Sequence, residues 1–281
     1  MSHTAAPVID ELIELRGLRF HYRDWPATRE NAPDLVLLHG YTGHARSWDA
    51  FAEAMTDRYR VIALDQRGHG ETAWAPADQY GVADMTADLA AFVVALGLKD
   101  FTLVGLSMGG MVAMDYASTR PEALAALVIV DIAPAPHASG AARIQSGQQA
   151  SDVFASRDEA FAAARAQNPL PPEAHHRHRV DHSLMRLEDG RWTWRYDRAL
   201  RSISTLRRRD PDALWRACAN IGVPTLVIRG DLSDVLSPEL AQRLVQTIPG
   251  ARYAEVANSG HSVPLDAPDG FLAAARDFLM G

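Results

Sequence analysis

The chain has 281 residues, is 47% hydrophobic and carries a formal charge of −7, enough apolar material for one large α/β core with room for an insertion. That acidic balance excludes the basic face of a nucleic-acid binder, and no uninterrupted apolar run reaches the length of a membrane span. The acidic N-terminal stretch lacks the basic and apolar parts of a secretory signal and Cys218 is the single cysteine, so a cytoplasmic protein without a disulfide is expected.

Residues 11–22 hold two short strand-like runs around Gly17, the pattern of an opening hairpin, and 25–34 form a polar, proline-bearing loop. Residues 35–38 are a continuous apolar run closed by His39-Gly40, which suits a strand buried on both faces of a parallel sheet. Trp48, Phe51, Ala52 and Met55 follow at helical spacing, and 61–64 form the next buried strand, ended by Asp65-Gln66-Arg67-Gly68-His69-Gly70. Met85, Leu89, Phe92, Val93 and Leu96 then repeat at helical spacing, with Asp84 placed to cap and Gly97 to terminate. Residues 101–104 read as strand, 105–109 are Gly-Leu-Ser-Met-Gly, and a helix-compatible run follows without a break. A strand, a sharp turn and a helix put Ser107 at the tip of the turn, with its hydroxyl clear of the sheet. A further buried strand, 127–130, ends at Asp131.

The alternation stops after Ile132. Residues 134–215 contain no apolar strand and are rich in Ala, Arg and His, with helical pieces and turns at 169–172 and 189–190. This stretch reads as an inserted helical lid between a first core part, 1–133, and a second, 216–281. It holds 13 Arg and no Lys against 10 acidic residues, a net +3 within a chain of −7. Two readings of that asymmetry stand: steering of an anionic small-molecule substrate, or a solvated helical surface of mixed charge. Strand and helix then alternate again, with strands at 225–228 and 253–256 and helices at 239–248 and 268–280. Such alternation implies a mostly parallel sheet with helices on both faces.

Five features in this order resemble the α/β-hydrolase superfamily over almost the whole chain: His39-Gly40, the D-x-R-G-x-G run 65–70, G-x-S-x-G at 105–109, the insertion after the next strand, and Gly260-His261. The resemblance implies the α/β-hydrolase fold and the chain order nucleophile, acid, histidine.

A serine hydroxyl is a weak nucleophile near neutral pH, so acyl transfer needs a base within hydrogen-bond reach and a third group that fixes the base's tautomer. Ser107 is the candidate nucleophile and His261, in the loop after the last strand, the candidate base. The acid has two candidates. In most members of the superfamily it is the fourth residue of a G-x-x-D turn after the strand that follows the lid, and here Ser233 holds that place. In some members it ends the strand just after the elbow, which is Asp131. The departure at 233 favours Asp131, with Asp234 as the alternative and Asp231 as a turn residue. By the superfamily's arrangement the oxyanion donors are the backbone N–H groups of Tyr41 and Met108, while His39, Arg67 and His69 are structural members of their turns.

His175-His176-Arg177-His178-Arg179 interleaves imidazoles with arginines, which sets positive charge against a cation, and no H-E-x-x-H accompanies it. It reads as a solvent-facing lid segment, and no metal site is expected. Trp192 and Trp194 read as packing anchors of the lid; with Arg143, Arg201 and the lid histidines they are also the candidate substrate contacts. The resemblance implies a cofactor-free serine hydrolase that cleaves a small carboxylic ester, lactone or amide through an acyl-enzyme, without nucleic-acid or membrane partners. The run GLSMGGMVA is similar to the elbow of enol-lactone hydrolases, whereas VDIAP with Ser233 is similar to small esterases and to amide hydrolases of pyridine-ring degradation, so the bond cleaved stays open. A hydrolase of C–C bonds in ring-cleavage products uses the same three groups and is the main alternative. A non-catalytic ligand-binding member of the fold is the other, and the retention of Ser, His and Asp counts against it.

Overall fold

The computed structural model describes residues 7–135, 137–140, 142, 152–201 and 210–280. β1 (Ile9–Leu15) and β2 (Leu18–Trp25) pair antiparallel. Trp25, which the sequence reading places in a loop, is the last residue of β2 and is buried. β3 (Asp34–Leu38) leads through a short 3-10 turn to α1 (Asp49–Met55) and β4 (Arg60–Leu64). α2 (Val82–Ala95) starts two residues before Asp84, whose carboxylate accepts the Gly81 amide at 3.1 Å. Asp84 therefore secures the first turn from inside the helix rather than capping it. β5 (Phe101–Leu106), α3 (Met108–Ser118) and β6 (Leu124–Val130) follow.

The stretch after β6 departs from the helical insertion expected from sequence. It contains α4 (Arg157–Gln167) and α5 (Glu173–His182), but β7 (Val153–Phe154), β8 (Leu184–Arg186) and β9 (Trp192–Trp194) form an antiparallel sheet in the order β7-β9-β8. Strands of two or three residues are too short to leave a period-2 signature. Their pairing is set by the turn at Asp189-Gly190, with Gly190 at φ 86, and by a small separate core of Phe154, Phe161, Val180 and Leu184 under Trp192 and Trp194. The chain returns through α6 (Pro211–Cys218) to β10 (Thr225–Gly230), α7 (Pro238–Thr247), β11 (Arg252–Val256), α8 (Val263–Asp266) and α9 (Pro268–Leu279).

The main sheet has the order β1-β2-β4-β3-β5-β6-β10-β11. It is antiparallel through β1, β2 and β4 and parallel from β4 onward. Side chains on a strand alternate between faces, so Leu35 and Leu37 pack with Trp48, Phe51 and Phe271 on one side, while Val36 and Leu38 pack with Phe92, Met114 and Leu244 on the other. Both faces are covered, which is why the central strands are apolar throughout.

Buried polar groups join the turns at the carboxyl ends of β3 and β4. His39 Nε2 accepts the Gln66 amide at 3.0 Å, and the Gln66 side chain donates to the His39 carbonyl at 2.7 Å. Asp65 accepts from the amides of Ala45 (2.6 Å) and Glu71 (2.9 Å) and from His21 Nδ1 (2.7 Å). Arg67 forms a buried two-pronged ion pair with Asp88 at 2.5 and 2.6 Å. These contacts match the structural roles expected of His39 and Arg67.

Burial alone would raise the Asp65 carboxyl, but the His21 hydrogen bond, the charges of His39 and His21 and the Glu71 amide outweigh it and bring the pKa from 3.8 down to about 2. A folded-state pKa below the unfolded value stabilises the fold above the unfolded pKa, an effect on the order of 2 kcal/mol that is lost as pH falls through the folded pKa. Asp65→Asn is therefore expected to melt below wild type at neutral pH, and the gap should close between about pH 4 and pH 2. A gap that stays constant across that window, measured by calorimetry, would contradict this account.

Candidate active site

The carboxyl edge of a parallel sheet is where loops from several strands meet. Here five of them converge. β5 leads into Ser107, which stands just before α3 as its N-cap residue and takes φ 52, ψ −115, a backbone region that a residue with a Cβ occupies only at a cost of about 1–3 kcal/mol. Packing around the turn holds it there. Gly109 lies so close to the end of β3 that a Cβ on it would stand 2.5 Å from the Leu38 carbonyl oxygen and 2.7 Å from that of His39. A Cβ on Gly40 would meet the Ser107 Cβ at 3.2 Å. The chain that leads into Tyr41 thus runs directly along the serine.

β6 ends in Asp131, fully buried and also at positive φ (52). One carboxylate oxygen accepts the Gly230 amide at 3.0 Å; the other accepts the Ser233 hydroxyl at 2.5 Å and faces His261 Nδ1 at 2.8 Å. The opposite nitrogen of the same ring, Nε2, lies 2.8 Å from Ser107 Oγ. Ser107, His261 and Asp131 therefore form one hydrogen-bonded series. With Nδ1–H donating to the carboxylate, Nε2 is free to accept from the serine hydroxyl.

The loop carrying His261 is fixed from three directions. Asp231 accepts the Ser259 amide at 3.0 Å, the Leu232 amide donates to the Ser259 carbonyl at 2.9 Å, and Asp266 accepts the Gly260 amide at 2.9 Å. Asp234, the alternative acid, gives its backbone carbonyl to the Gly140 amide and the Ser139 hydroxyl, and the described partners of the imidazole are Asp131 and Ser107.

Met108 is the first residue of α3, so its N–H belongs to the helix-end amides that have no acceptor within the helix. Tyr41 packs its ring 5.7 Å from that of Tyr196, and Tyr196 bridges back to His69. His69 is fully buried and burial carries its pKa down to about 3, so it is a neutral member of the turn.

The other candidate contacts have partners within the inserted stretch. Trp192 stacks beneath the Arg157 guanidinium at 4.5 Å, and Trp194 meets Phe154 edge-on at 5.2 Å. Arg201 donates to the Tyr196 hydroxyl at 3.0 Å and pairs with Asp152 at 3.0 Å. Arg143 lies outside the described residues. The segment 175–179 is solvent-facing only in part: His178 is exposed, while His175, Arg177 and Arg179 are half-buried. It lies on α5, where His176 and Val180 are buried. Arg179 reaches inward to Thr42, Nη2 to Oγ1 3.4 Å, and His44 Nε2 hydrogen-bonds the Arg179 carbonyl at 3.1 Å. The i, i+3, i+4, i+7 spacing of His176, Arg179, Val180 and Ser183 was the available signal for a buried helical face, and the run of charges masked it. Ser233, noticed in the sequence only as a departure, is a direct partner of Asp131.

A family model described as the alpha/beta hydrolase fold matches residues 33–268. The mouse (Mus musculus) protein sn-1-specific diacylglycerol lipase ABHD11 is 31% identical over 284 residues, spanning 96% of this chain and 88% of that one. The N-formylmaleamate deformylase of Pseudomonas putida is 28% identical over 279 residues, 95% of each chain. Among solved structures, E-2-(acetamidomethylene)succinate hydrolase superposes with a TM-score of 0.88 over 98% of this chain and 100% of that one, at 22% identity, a likeness of fold. By its sequence match and by its sheet topology, the chain belongs to the α/β hydrolase fold family.

Proposed function

We propose that the protein is a cofactor-independent serine hydrolase that cleaves a small carboxylic ester, lactone or amide through an acyl-enzyme. The observation that carries this reading is the single imidazole of His261, hydrogen-bonded at 2.8 Å to Ser107 on one side and at 2.8 Å to Asp131 on the other. Relatives named for ester and formyl-amide cleavage, a lipase and a deformylase, support the same class.

In this mechanism Ser107 Oγ attacks the substrate carbonyl while His261 Nε2 takes the hydroxyl proton. Asp131 holds Nδ1–H, fixes the tautomer and stabilises the imidazolium that forms. The N–H groups of Met108 and Tyr41 receive the oxyanion of the tetrahedral intermediate. His261 then gives its proton to the leaving alcohol or amine, and water, activated by the same nitrogen, releases the acid. Ser233 is a positioning residue: its hydroxyl keeps Asp131 turned toward the ring. The insertion closes over the carboxyl edge of the sheet as a lid.

Treatment with a fluorophosphonate followed by intact-mass spectrometry is expected to add one label to wild type and none to Ser107→Ala. Asp131→Asn should label on the order of 10³–10⁴ times more slowly, and Asp234→Asn at close to the wild-type rate. Folded wild-type protein that takes no label overturns the acyl-enzyme reading, and slowing confined to Asp234→Asn reassigns the acid.

Ser233→Ala removes one hydrogen bond to a charged group, so kcat/KM on an ester should fall about tenfold, with Ser233→Thr recovering most of the loss. An unchanged kcat/KM in Ser233→Ala would separate Ser233 from the reaction.

A further inference from the structure

Among the described residues, Arg179 is a cation with few partners for where it sits. Its backbone is fixed, because its carbonyl accepts from His44 Nε2 at 3.1 Å and from the Ser183 hydroxyl at 2.8 Å. Its guanidinium carries five N–H donors and, among the described residues, makes one long contact, to Thr42 Oγ1 at 3.4 Å. Among the described residues no carboxylate lies within ion-pair distance of it. Burial pushes its pKa below the ordinary range, while the charge of Asp266 acts in the opposite direction. Asp266 is already engaged by Asn168 Nδ2 at 2.7 Å and the Gly260 amide at 2.9 Å. The more deeply buried guanidiniums of Arg23, Arg67 and Arg229 each face a carboxylate, whereas half-buried Arg179 faces none among the described residues.

The position of this cation is as telling as its lack of a counter-ion. Thr42 follows Tyr41, and Gly40 just before them touches the Ser107 turn. Asp266 anchors the loop that carries His261. The guanidinium thus touches the loop that follows β3 beside the nucleophile, and it feels the charge of the residue that anchors the His261 loop, supplied from the insertion rather than from the core.

A partly desolvated guanidinium without an ion-pair partner costs free energy that an incoming anion offsets, and its planar fork matches a carboxylate in two-pronged geometry. We propose that Arg179 anchors a second, ionised carboxyl group on the acyl chain of the substrate, so that the enzyme acts on half-esters and half-amides of dicarboxylic acids. The proposal rests on the serine-hydrolase reading and adds the substrate class to it.

The test compares monoethyl glutarate with ethyl pentanoate, which has a methyl group in place of the carboxylate. Wild type should favour the half-ester, and Arg179→Gln should lower the ratio of the two kcat/KM values on the order of tenfold to hundredfold. Arg179→Lys, which keeps the charge and loses the fork, should fall between them. Glutarate itself provides a readout that needs no turnover: by calorimetry it should bind wild type and bind Arg179→Gln at least about tenfold more weakly. An unchanged ratio in Arg179→Gln, or glutarate binding that is absent in wild type or equal in the two proteins, overturns the proposal. Failure of the serine reading looks different: the fluorophosphonate leaves Ser107 unlabelled while glutarate still binds in an Arg179-dependent way. Circular dichroism of both variants separates loss of the anchor from loss of the fold.

Discussion

A carboxylate sealed from water is costly to keep unless donors surround it, and the interior end of β6 holds one. Asp131 has no exposure to solvent, and its donors come from three separate parts of the chain: the Gly230 amide at the end of β10, the Ser233 hydroxyl in the following turn, and His261 beyond β11. Each donor must arrive in place for the others to matter. The sheet order β5-β6-β10-β11 makes this feasible, since it sets the ends of the contributing strands side by side. One charge thereby fixes the spacing of two strands, the path of a turn and the orientation of an imidazole.

Ser107 depends on the same economy of space. Its backbone occupies a region that side chains disfavour, and the turn stays in it because β3, β5 and α3 approach too closely for anything larger than glycine at position 109. The His39 and Gln66 pair then ties the β3 turn to the β4 turn. Strain at the serine is held by contacts several residues away, in strands that gain their stability from burial on both faces.

Much of this was legible in the sequence because the features in question are punctuated by short-range chemistry. Apolar runs closed by glycine or aspartate mark the central strands, and G-x-S-x-G between a strand and a helix marks the turn. The weighing of Asp131 against Asp234 rested on a side chain absent from its usual place, and the geometry puts Asp131 on the imidazole with Ser233 bridging to it. The insertion was less legible. Its strands have two or three residues each, and pairing partners that short are chosen by tertiary packing, which a linear pattern does not carry. The segment 175–179 departs in part from the surface its composition suggests, for a related reason. Composition suggests a solvated surface, but helical periodicity turns members three and four apart in a charged run inward, and only the neighbouring elements decide which face is covered.

The insertion is fastened to the core in two unlike ways. Along one border the attachment is mainly backbone to backbone: the Gly70 amide to the Arg195 carbonyl at 3.1 Å, the Asp197 amide to the Gly68 carbonyl at 2.8 Å, and the bridge between His69 and Tyr196, with the Tyr80 hydroxyl donating to Asp197 at 2.5 Å beside them. Along the other, at α4 and α5, it is made by side chains, with Asn168 on Asp266, His44 on the Arg179 carbonyl and His178 on Asp49. Main-chain ladders are indifferent to sequence, whereas side-chain clasps can be retuned one residue at a time. The two borders therefore differ in what substitution can reach: contacts such as Asn168 on Asp266 and His178 on Asp49 can be altered one side chain at a time, whereas the main-chain contacts at 68–70 persist through most side-chain changes.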